Sequence, residues 1–194
     1  MRKYYLSKYS DTYAMNGLFI GFEKVNNPKD AEFIIFGGGE HVHPRRYNHK
    51  SILKRYPYNE DRDEYEFNLY DQYKDKKFIG ICRGAQLGHV ISGGFLFQNV
   101  DKHTAPHNVY TKDKLYKVTS THQQAMGDKT IGDVLAYART STWKKEEKIK
   151  ESNTIDIEAM FHRKTRFFCF QPHPEFSECY SSRILFFKLF NQVF

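Results

Sequence analysis

The chain has 194 residues, of which 40% are hydrophobic and 16% aromatic, and its formal net charge is +7 at pH 7. These values exclude a disordered chain and fit one domain over residues 1–194. The sequence contains neither a run of about 18 apolar residues nor an apolar N-terminal leader, so we expect a cytoplasmic protein with no membrane contact. Basic residues are interspersed with acidic ones and no nucleic-acid-binding motif occurs, which disfavours nucleic acid as a partner.

The predicted elements alternate between strands and helices early in the chain and cluster as strands later. Apolar and aromatic runs predict strands at 3–9, 17–25, 33–36, 76–81, 114–120, 133–140, 155–163 and 165–171. Helical spacing predicts helices at 61–73, 83–92 and 177–193. The last is expected to pack on the sheet through Tyr180, Ile184, Phe187 and Leu189 or Phe190. The mixed-charge run KKEEKIK at 144–150 favours a solvated face or hairpin over a docking patch. This order predicts an α/β sandwich with a mixed sheet.

The cysteines are Cys82, Cys169 and Cys179, an odd number without C-x-x-C spacing. This pattern argues against a disulfide framework and against a zinc site of paired cysteines. At least one cysteine is therefore a candidate working thiol.

Cys82 lies where the buried strand KKFIGI passes into the predicted helix at 83–92. The positive end of the helix dipole favours a thiolate there, as in strand-to-helix nucleophile turns. We expect Gly80 to allow close approach of a neighbouring chain and Gly84 to leave room above the thiol. The alternative is an inert cysteine buried in the core.

A base and an orienting acceptor follow in the stretch FCFQPHPEF, residues 168–176. Pro172 and Pro174 hold the chain extended on both sides of His173. Residues two apart on an extended chain share a face, so Glu175 can accept the second ring proton of His173. Taken alone, the stretch could also be a rigid loop with a surface carboxylate.

Donors for an oxyanion can come from two places. The backbone N–H of Arg83 directly follows the nucleophile, and the triple glycine at 37–39 follows a predicted strand. Because no G-K-[ST] follows these glycines, the sequence does not predict a nucleotide-binding P-loop.

The motifs GGGEHVHPRRY, GICRGAQ, GGFLFQ, STHQQ and QPHPE resemble, in order and spacing, those of the class I glutamine amidotransferase-like proteins. The closest resemblance is to the branch of γ-glutamyl-γ-aminobutyrate hydrolases and γ-glutamyl hydrolases. It implies a flavodoxin-like three-layer α/β sandwich with a mostly parallel mixed sheet, and no cofactor. The site residues that it implies are the triad Cys82, His173 and Glu175, the oxyanion-hole residues Gly38 and Arg83, and the glutamyl-pocket residues Gln86, Ser120, His122 and Gln124.

The resemblance implies a small-molecule substrate and leaves three functions open. The first is a glutaminase subunit that releases ammonia from glutamine through a thioester, with a separate synthetase as partner. The second is a free-standing γ-glutamyl-amine hydrolase, and the third is a non-catalytic binding module. Glu40 and His41 stand where the family commonly has aspartates, which affects the leaving-group side of the substrate.

Two further expectations concern histidines and the N-terminus. His122 follows a strand, where a capping or surface role competes with a role in binding. The spacings of five other histidines do not predict a metal site; these are His41, His43, His49, His103 and His107. About 36 residues precede the triple glycine, so we expect the first strands or helix to be trimmed or absent.

Overall fold

The structure is a computed structural model that describes residues 1–52, 57–100, 103–139, 155–176, 178 and 180–194. The charged run at 144–150 and Cys179 lie outside these residues. No helix among the described residues has the length and apolar character to cross a membrane.

Eleven strands of the described chain form one mixed sheet. They are β1 (Lys3–Leu6), β2 (Glu23–Lys24), β3 (Phe33–Phe36), β4 (Lys77–Ile81), β5 (Leu96–Phe97), β6 (His107–Tyr110), β7 (Leu115–Val118), β8 (Ala125–Met126), β9 (Asp133–Ala138), β10 (Asp156–His162) and β11 (Phe167–Phe170). The order is β2-β1-β3-β4-β11-β10-β9-β6-β7, with β5 and β8 off this path. The first five strands of this order, β2, β1, β3, β4 and β11, pair in parallel. The remaining pairs along the order are antiparallel.

The helices cover both faces of the sheet, as the predicted three-layer sandwich requires. They are α1 (Thr12–Leu18), α2 (Glu60–Gln72), α3 (Arg83–Ile91) and α4 (Tyr180–Val193). Strand β3 is buried on both sides because Phe33 and Ile35 join the core under α1 and α4, whereas Ile34 and Phe36 join the core under α2 and α3. A strand buried on both faces is what a continuous apolar run at the centre of a parallel sheet produces. The flavodoxin-like mixed α/β fold is confirmed.

The N-terminal βα portion is present, with a helix of only seven residues. The predicted strand at 17–25 was mostly wrong, because Asp11 caps α1 by accepting from the amides of Tyr13 and Ala14, and only Glu23–Lys24 is extended. Strands β5, β6 and β8 were not predicted. Helix α4 packs on the sheet as predicted, with Leu189 and Phe190 buried and Phe187 partly buried, but Tyr180 and Ile184 are exposed. Its buried apolar residues are Leu185, Phe186, Leu189 and Phe190.

Gly84 has a different role from the predicted one. A Cβ at this position would overlap the backbone carbonyl of Phe36, so Gly84 allows α3 to press against β3 and does not open space above the thiol. The amide of Gly84 donates to the carbonyl of Gly37 at 3.1 Å, which ties the helix to the glycine loop. The expected role of Gly80 agrees with the structure, because its Cβ would overlap the backbone of Gly84.

We expect Gly84→Ala to lower the free energy of unfolding by about 1–3 kcal/mol, because helix and strand must move apart to admit the methyl group. Urea denaturation measures this change. The control is Gly17→Ala in α1, where nothing lies within 4 Å of an added Cβ. That variant should be about 0.5–1 kcal/mol more stable, because alanine favours the helix. Equal stability of the two variants would contradict the packing argument.

Candidate active site

Cys82 occupies a strained turn between β4 and α3. Its φ of 51° and ψ of −109° are unusual for a residue with a side chain, and such a conformation costs on the order of 1–3 kcal/mol. Its amide donates to the carbonyl of Phe170 on β11 at 2.9 Å, so the sheet holds the turn in place. Cys82 is 7% exposed. A strained cysteine at the carboxyl end of a central strand fits a nucleophile turn.

His173 and Glu175 lie in the extended segment after β11. Nδ1 of His173 is 2.7 Å from Oε1 of Glu175, and both side chains are buried. The hydroxyl of Thr119 donates to the carbonyl of His173 at 2.9 Å and accepts from its amide at 3.3 Å. The ring of Phe176 stacks on the imidazole with centroids 4.4 Å apart. The alternative of a surface carboxylate at Glu175 is therefore not supported.

The remaining nitrogen of His173 belongs to the side of the ring that interacts with Cys82. Nε2 is buried and has no hydrogen bond of standard geometry among the described residues. Burial lowers the pKa of His173, but the interactions of its ring with Cys82 and with the carboxylate of Glu175 outweigh burial and raise the pKa to about 10. This favours the protonated form of His173 at neutral pH.

Gly38 lies against both members of this pair. A Cβ added to Gly38 would be 3.0 Å from Cε1 of His173 and 3.7 Å from Cβ of Cys82. The absence of a side chain therefore lets the loop backbone approach the nucleophile. Arg83 follows Cys82 directly in the chain, and Gly38 approaches Cys82 from the glycine loop after β3.

The side chain of Arg83 points away from the cavity into a buried ion-pair network that sequence reasoning missed. Arg83 contacts the carboxylates of Asp63 and Glu66, and all three residues are almost fully buried. Arg62 donates to Glu66 at 3.3 Å and to the carbonyl of Gly37 at 3.0 Å. Burial raises the pKa of Asp63. The available signal was charge within α2, whose segment EDRDEYEF has too few apolar residues for its packed position.

A small cavity opens beside Cys82 and encloses about 150 Å³. Its lining residues are Gly39, His41, Cys82, Gln86, Thr121, His122, Gln123, Gln124 and His173. This volume is below the roughly 300–1,000 Å³ of sites for drug-sized ligands. The cavity is therefore large enough only for a small group, such as the amino-acid portion of a substrate.

The predicted glutamyl-pocket residues divide into two groups. Gln86, His122 and Gln124 line the cavity. Ser120 is not among the lining residues, because its buried hydroxyl donates to the backbone carbonyl of His103. His122 is 3% exposed, which does not fit a surface role.

The amide groups in this wall hold the backbone in place. The side chain of Gln124 accepts from the amide of Val42 and donates to its carbonyl, both at 3.0 Å. Nε2 of Gln86 donates to the backbone carbonyl of Gln124 at 2.8 Å. Gln124 thus fastens the loop after the triple glycine to the opposite wall of the cavity.

A larger cavity of about 630 Å³ adjoins the first at His173 and Gly39. Its lining is mixed in charge; it includes Lys8, Tyr9, Asp11, Glu40, Arg62, Glu175 and Phe176. Arg62 pairs with Glu40 at 3.1 Å. A hydrogen bond with its own backbone is the main cause of the lowered pKa of Glu40, and Arg62 adds to it.

The inference that the histidine spacings form no cluster needs correction. His103 and His107 both contact Glu158 on β10, and His122 lies beside them. His103 precedes β6 and His107 is its first residue. The sheet brings both to residues of β10 that lie more than 50 residues further along the chain. Sequence spacing carries no information on such a contact.

Comparisons with known proteins identify the family of this chain and its fold. A family model described as Peptidase C26 matches residues 29–175. The chain is 33% identical over 141 residues to a protein of Schizosaccharomyces pombe provisionally named a glutamine amidotransferase, an alignment that covers 59% of this chain and 54% of the relative. It is 31% identical over 86 residues to a glutamine amidotransferase-like protein of Rickettsia prowazekii, covering 43% and 31% of the two chains. The matched regions thus span about half and about a third of these relatives.

Solved structures with the same fold share little sequence with this chain. A glutamine amidotransferase of Thermotoga maritima matches with a TM-score of 0.61 and 12% identity, covering 99% of this chain and 83% of the other. A protein of Thermoplasma acidophilum, provisionally described as a GMP synthase subunit, matches with a TM-score of 0.65 and 14% identity, covering 100% and 94%. PurLQS of Thermotoga maritima matches with a TM-score of 0.62 and 15% identity, covering 100% and 99%.

The fold is therefore that of the class I glutamine amidotransferase-like proteins. The family model covers well over half of the sequence, and the chain belongs to the peptidase C26 family.

Proposed function

We propose that this protein hydrolyses a γ-glutamyl amide bond, with Cys82 as nucleophile, His173 as acid and base, and Glu175 as the orienting carboxylate. One observation carries the proposal: a cysteine in a strained strand-to-helix turn lines the same small cavity as a histidine whose Nδ1 is 2.7 Å from a buried glutamate. This is the arrangement that cysteine-dependent acyl transfer requires.

The proposed substrate is glutamine, and the reaction has two halves. The Cys82 thiolate attacks the side-chain carbonyl carbon, the carbon–nitrogen bond breaks, and His173 gives its proton to the departing ammonia. A thioester remains. Water then attacks the thioester carbon while His173 takes a proton from it, the carbon–sulfur bond breaks, and glutamate leaves.

Two backbone amides are proposed to stabilise the oxyanion in both halves. These are the N–H groups of Gly38 and Arg83, and the packing of Gly38 against Cys82 and His173 supports this assignment. The small cavity lined by Gln86, His122 and Gln124 is proposed to hold the glutamyl portion. No metal or other cofactor takes part in these steps.

Ammonia released in this way is proposed to pass to a separate synthetase. The supporting observation is the fold, which this chain shares with PurLQS and with a protein described as a GMP synthase subunit. Such a partner would need to dock near the side from which ammonia departs.

A second candidate substrate is a γ-glutamyl amine with a larger leaving group. The cavity of about 630 Å³ supports it, because this cavity adjoins His173, which protonates the leaving nitrogen. Its mixed charges, including Lys8 and Glu40, suit a polar or zwitterionic amine.

The test is an assay of the lone protein against glutamine and a panel of γ-glutamyl amines, with release of ammonia or amine as the readout. Turnover of glutamine that rises when a synthetase is added supports the glutaminase. Turnover of γ-glutamyl amines alone supports the second candidate.

Labelling with a glutamine-like electrophile addresses the non-catalytic alternative. We expect modification of Cys82 in preference to Cys169, because full burial raises the pKa of the Cys169 thiol well above its ordinary value. Mass spectrometry locates the adduct. Equal labelling of Cys82, Cys169 and Cys179, with no turnover on the panel, would support a binding module instead.

A further inference from the structure

Three buried side chains outside the proposed triad point polar atoms at one another. They are His103, His122 and Glu158, with exposed fractions of 0%, 3% and 0%. Their candidate ligand atoms all lie within 4.8 Å of one another. Glu158 is on β10, His122 is between β7 and β8, and His103 precedes β6, so three separate segments meet at this point.

One atom of each residue makes no hydrogen bond of standard geometry among the described residues, although all three lie close to one another. These atoms are Nδ1 of His103, Nε2 of His122 and Oε2 of Glu158. A buried polar atom that stays unpaired destabilises the folded state, because it has lost its hydrogen bonds to water. Three such atoms that converge therefore indicate a missing partner common to all of them.

The tautomer of His122 sharpens this conflict. Its Nδ1 lies 2.9 Å from the backbone carbonyl of Gln124, which only accepts, so Nδ1 carries a proton. In the neutral ring Nε2 then carries a lone pair and no proton, and it lies 3.9 Å from Oε2 of Glu158. A proton on Nδ1 of His103 could be donated to Oε1 of Glu158 at 3.2 Å. Nε2 of His122 and Oε2 of Glu158 would still face each other as two acceptors.

The outer contacts orient each ligand as metal sites do. Asp156 lies 3.2 Å from Nε2 of His103, which leaves Nδ1 of that ring directed inward. His107 donates from Nε2 to Oε1 of Glu158 at 3.0 Å, which leaves Oε2 of Glu158 as the candidate ligand atom. A carboxylate or carbonyl on the far nitrogen of a ligating histidine fixes its tautomer and ring orientation.

We propose that His103, His122 and Glu158 bind one divalent transition-metal ion, with zinc as the ion that this ligand set favours. Two imidazoles and one carboxylate suit zinc and are poor ligands for magnesium or calcium. The ion would join β10 to the two loops that carry His103 and His122. Because His122 also lines the small cavity, it would fix the wall of the proposed glutamyl pocket.

The proposal does not depend on the proposed catalytic function. The ion would act as a structural link, and neither Cys82 nor His173 is among its ligands. Metal binding can therefore be present in a chain without turnover, and turnover can be present without the ion.

The test uses the full chain without a polyhistidine tag, stripped with a chelator and then titrated with zinc or cobalt(II). We expect one tightly bound ion per chain by elemental analysis, a rise in the melting temperature, and a cobalt spectrum free of the thiolate charge-transfer band. Glu158→Gln should weaken zinc binding at least about tenfold. Glutamine has a shape similar to that of glutamate but lacks the negative charge of the carboxylate ligand.

Two variants serve as controls. Cys82→Ala should keep the ion, which excludes binding at the catalytic thiol. His162→Gln should also keep it, because His162 forms the other buried histidine contact, with His89 at 3.3 Å. The proposal is overturned if the wild type retains no ion at micromolar free zinc, if Cys82→Ala loses it, or if Glu158→Gln binds as tightly as the wild type. Should Glu158→Gln fail to fold, the stoichiometry and cobalt spectrum of the wild type, Cys82→Ala and His162→Gln still decide.

Discussion

Cys82→Ala should reduce kcat/KM on the best substrate of the panel by roughly 10⁴–10⁶-fold, the range seen when the nucleophile of a catalytic triad is removed. Without the sulfur no thioester forms, and the remaining groups offer only binding and oxyanion stabilisation. Release of ammonia or amine measures the effect. Undiminished turnover by Cys82→Ala would end the proposed mechanism.

The same variant has a second readout that does not depend on the substrate. The charge of Cys82 raises the pKa of His173, so its removal should shift that pKa downward from about 10. The histidine therefore loses its proton at lower pH in Cys82→Ala than in the wild type. An NMR titration of the Cε1 proton of His173 measures the shift. Cys169→Ala is the control, because Cys169 is buried in β11 and is not among the charges that act on His173.

Arg83→Met should lower the free energy of unfolding by about 3–5 kcal/mol, the range for breaking one side of a buried ion pair. The variant leaves Asp63 and Glu66 charged and buried without the guanidinium that now contacts both. Urea denaturation measures the loss. Since a domain is stable by only about 5–15 kcal/mol, this change is a large share of the total.

Two controls separate burial from charge. Arg163→Met removes an arginine whose side chain is 79% exposed and which pairs with Asp133 at 2.6 Å, and it should change stability by less than about 1 kcal/mol. Adding Asp63→Asn and Glu66→Gln to Arg83→Met should recover part of the loss, because the uncompensated charges disappear. A triple variant less stable than Arg83→Met would show that the cost lies in packing.

Local sequence was enough to predict the elements around the candidate triad. The apolar run before Cys82 and the small residues after it predicted a strand, a turn and a helix, and β4 and α3 begin and end within one residue of the expected bounds. The extended segment around His173 was predicted from its two prolines. In both cases the information lies in neighbouring residues, because backbone restriction and hydrophobic periodicity act over a few residues.

Other features depended on contacts that no local pattern records. Helix α1 was missed because it is short, and its cap at Asp11 was not recognised as a start signal. Ser120 was placed in the glutamyl pocket by resemblance, but its hydroxyl contacts the backbone of His103. Tyr180 and Ile184 of α4 were placed on its buried side but are exposed, because apolar residues lie on several faces of that helix.

The sequence by itself determined the strand-to-helix turn at Cys82 and the His173–Glu175 pairing, since each arises from residues close together in the chain. It determined the class of fold through the order of the elements and motifs along the chain. Only the tertiary structure decided that Arg83 joins two carboxylates of α2, which lie 17 and 20 residues before it. The convergence of two histidines on Glu158 likewise needed the sheet, because β10 follows both of them by many residues. The register of the sheet and the packing of α2 against α3 set such distances, and neither can be read from the residues of one segment alone.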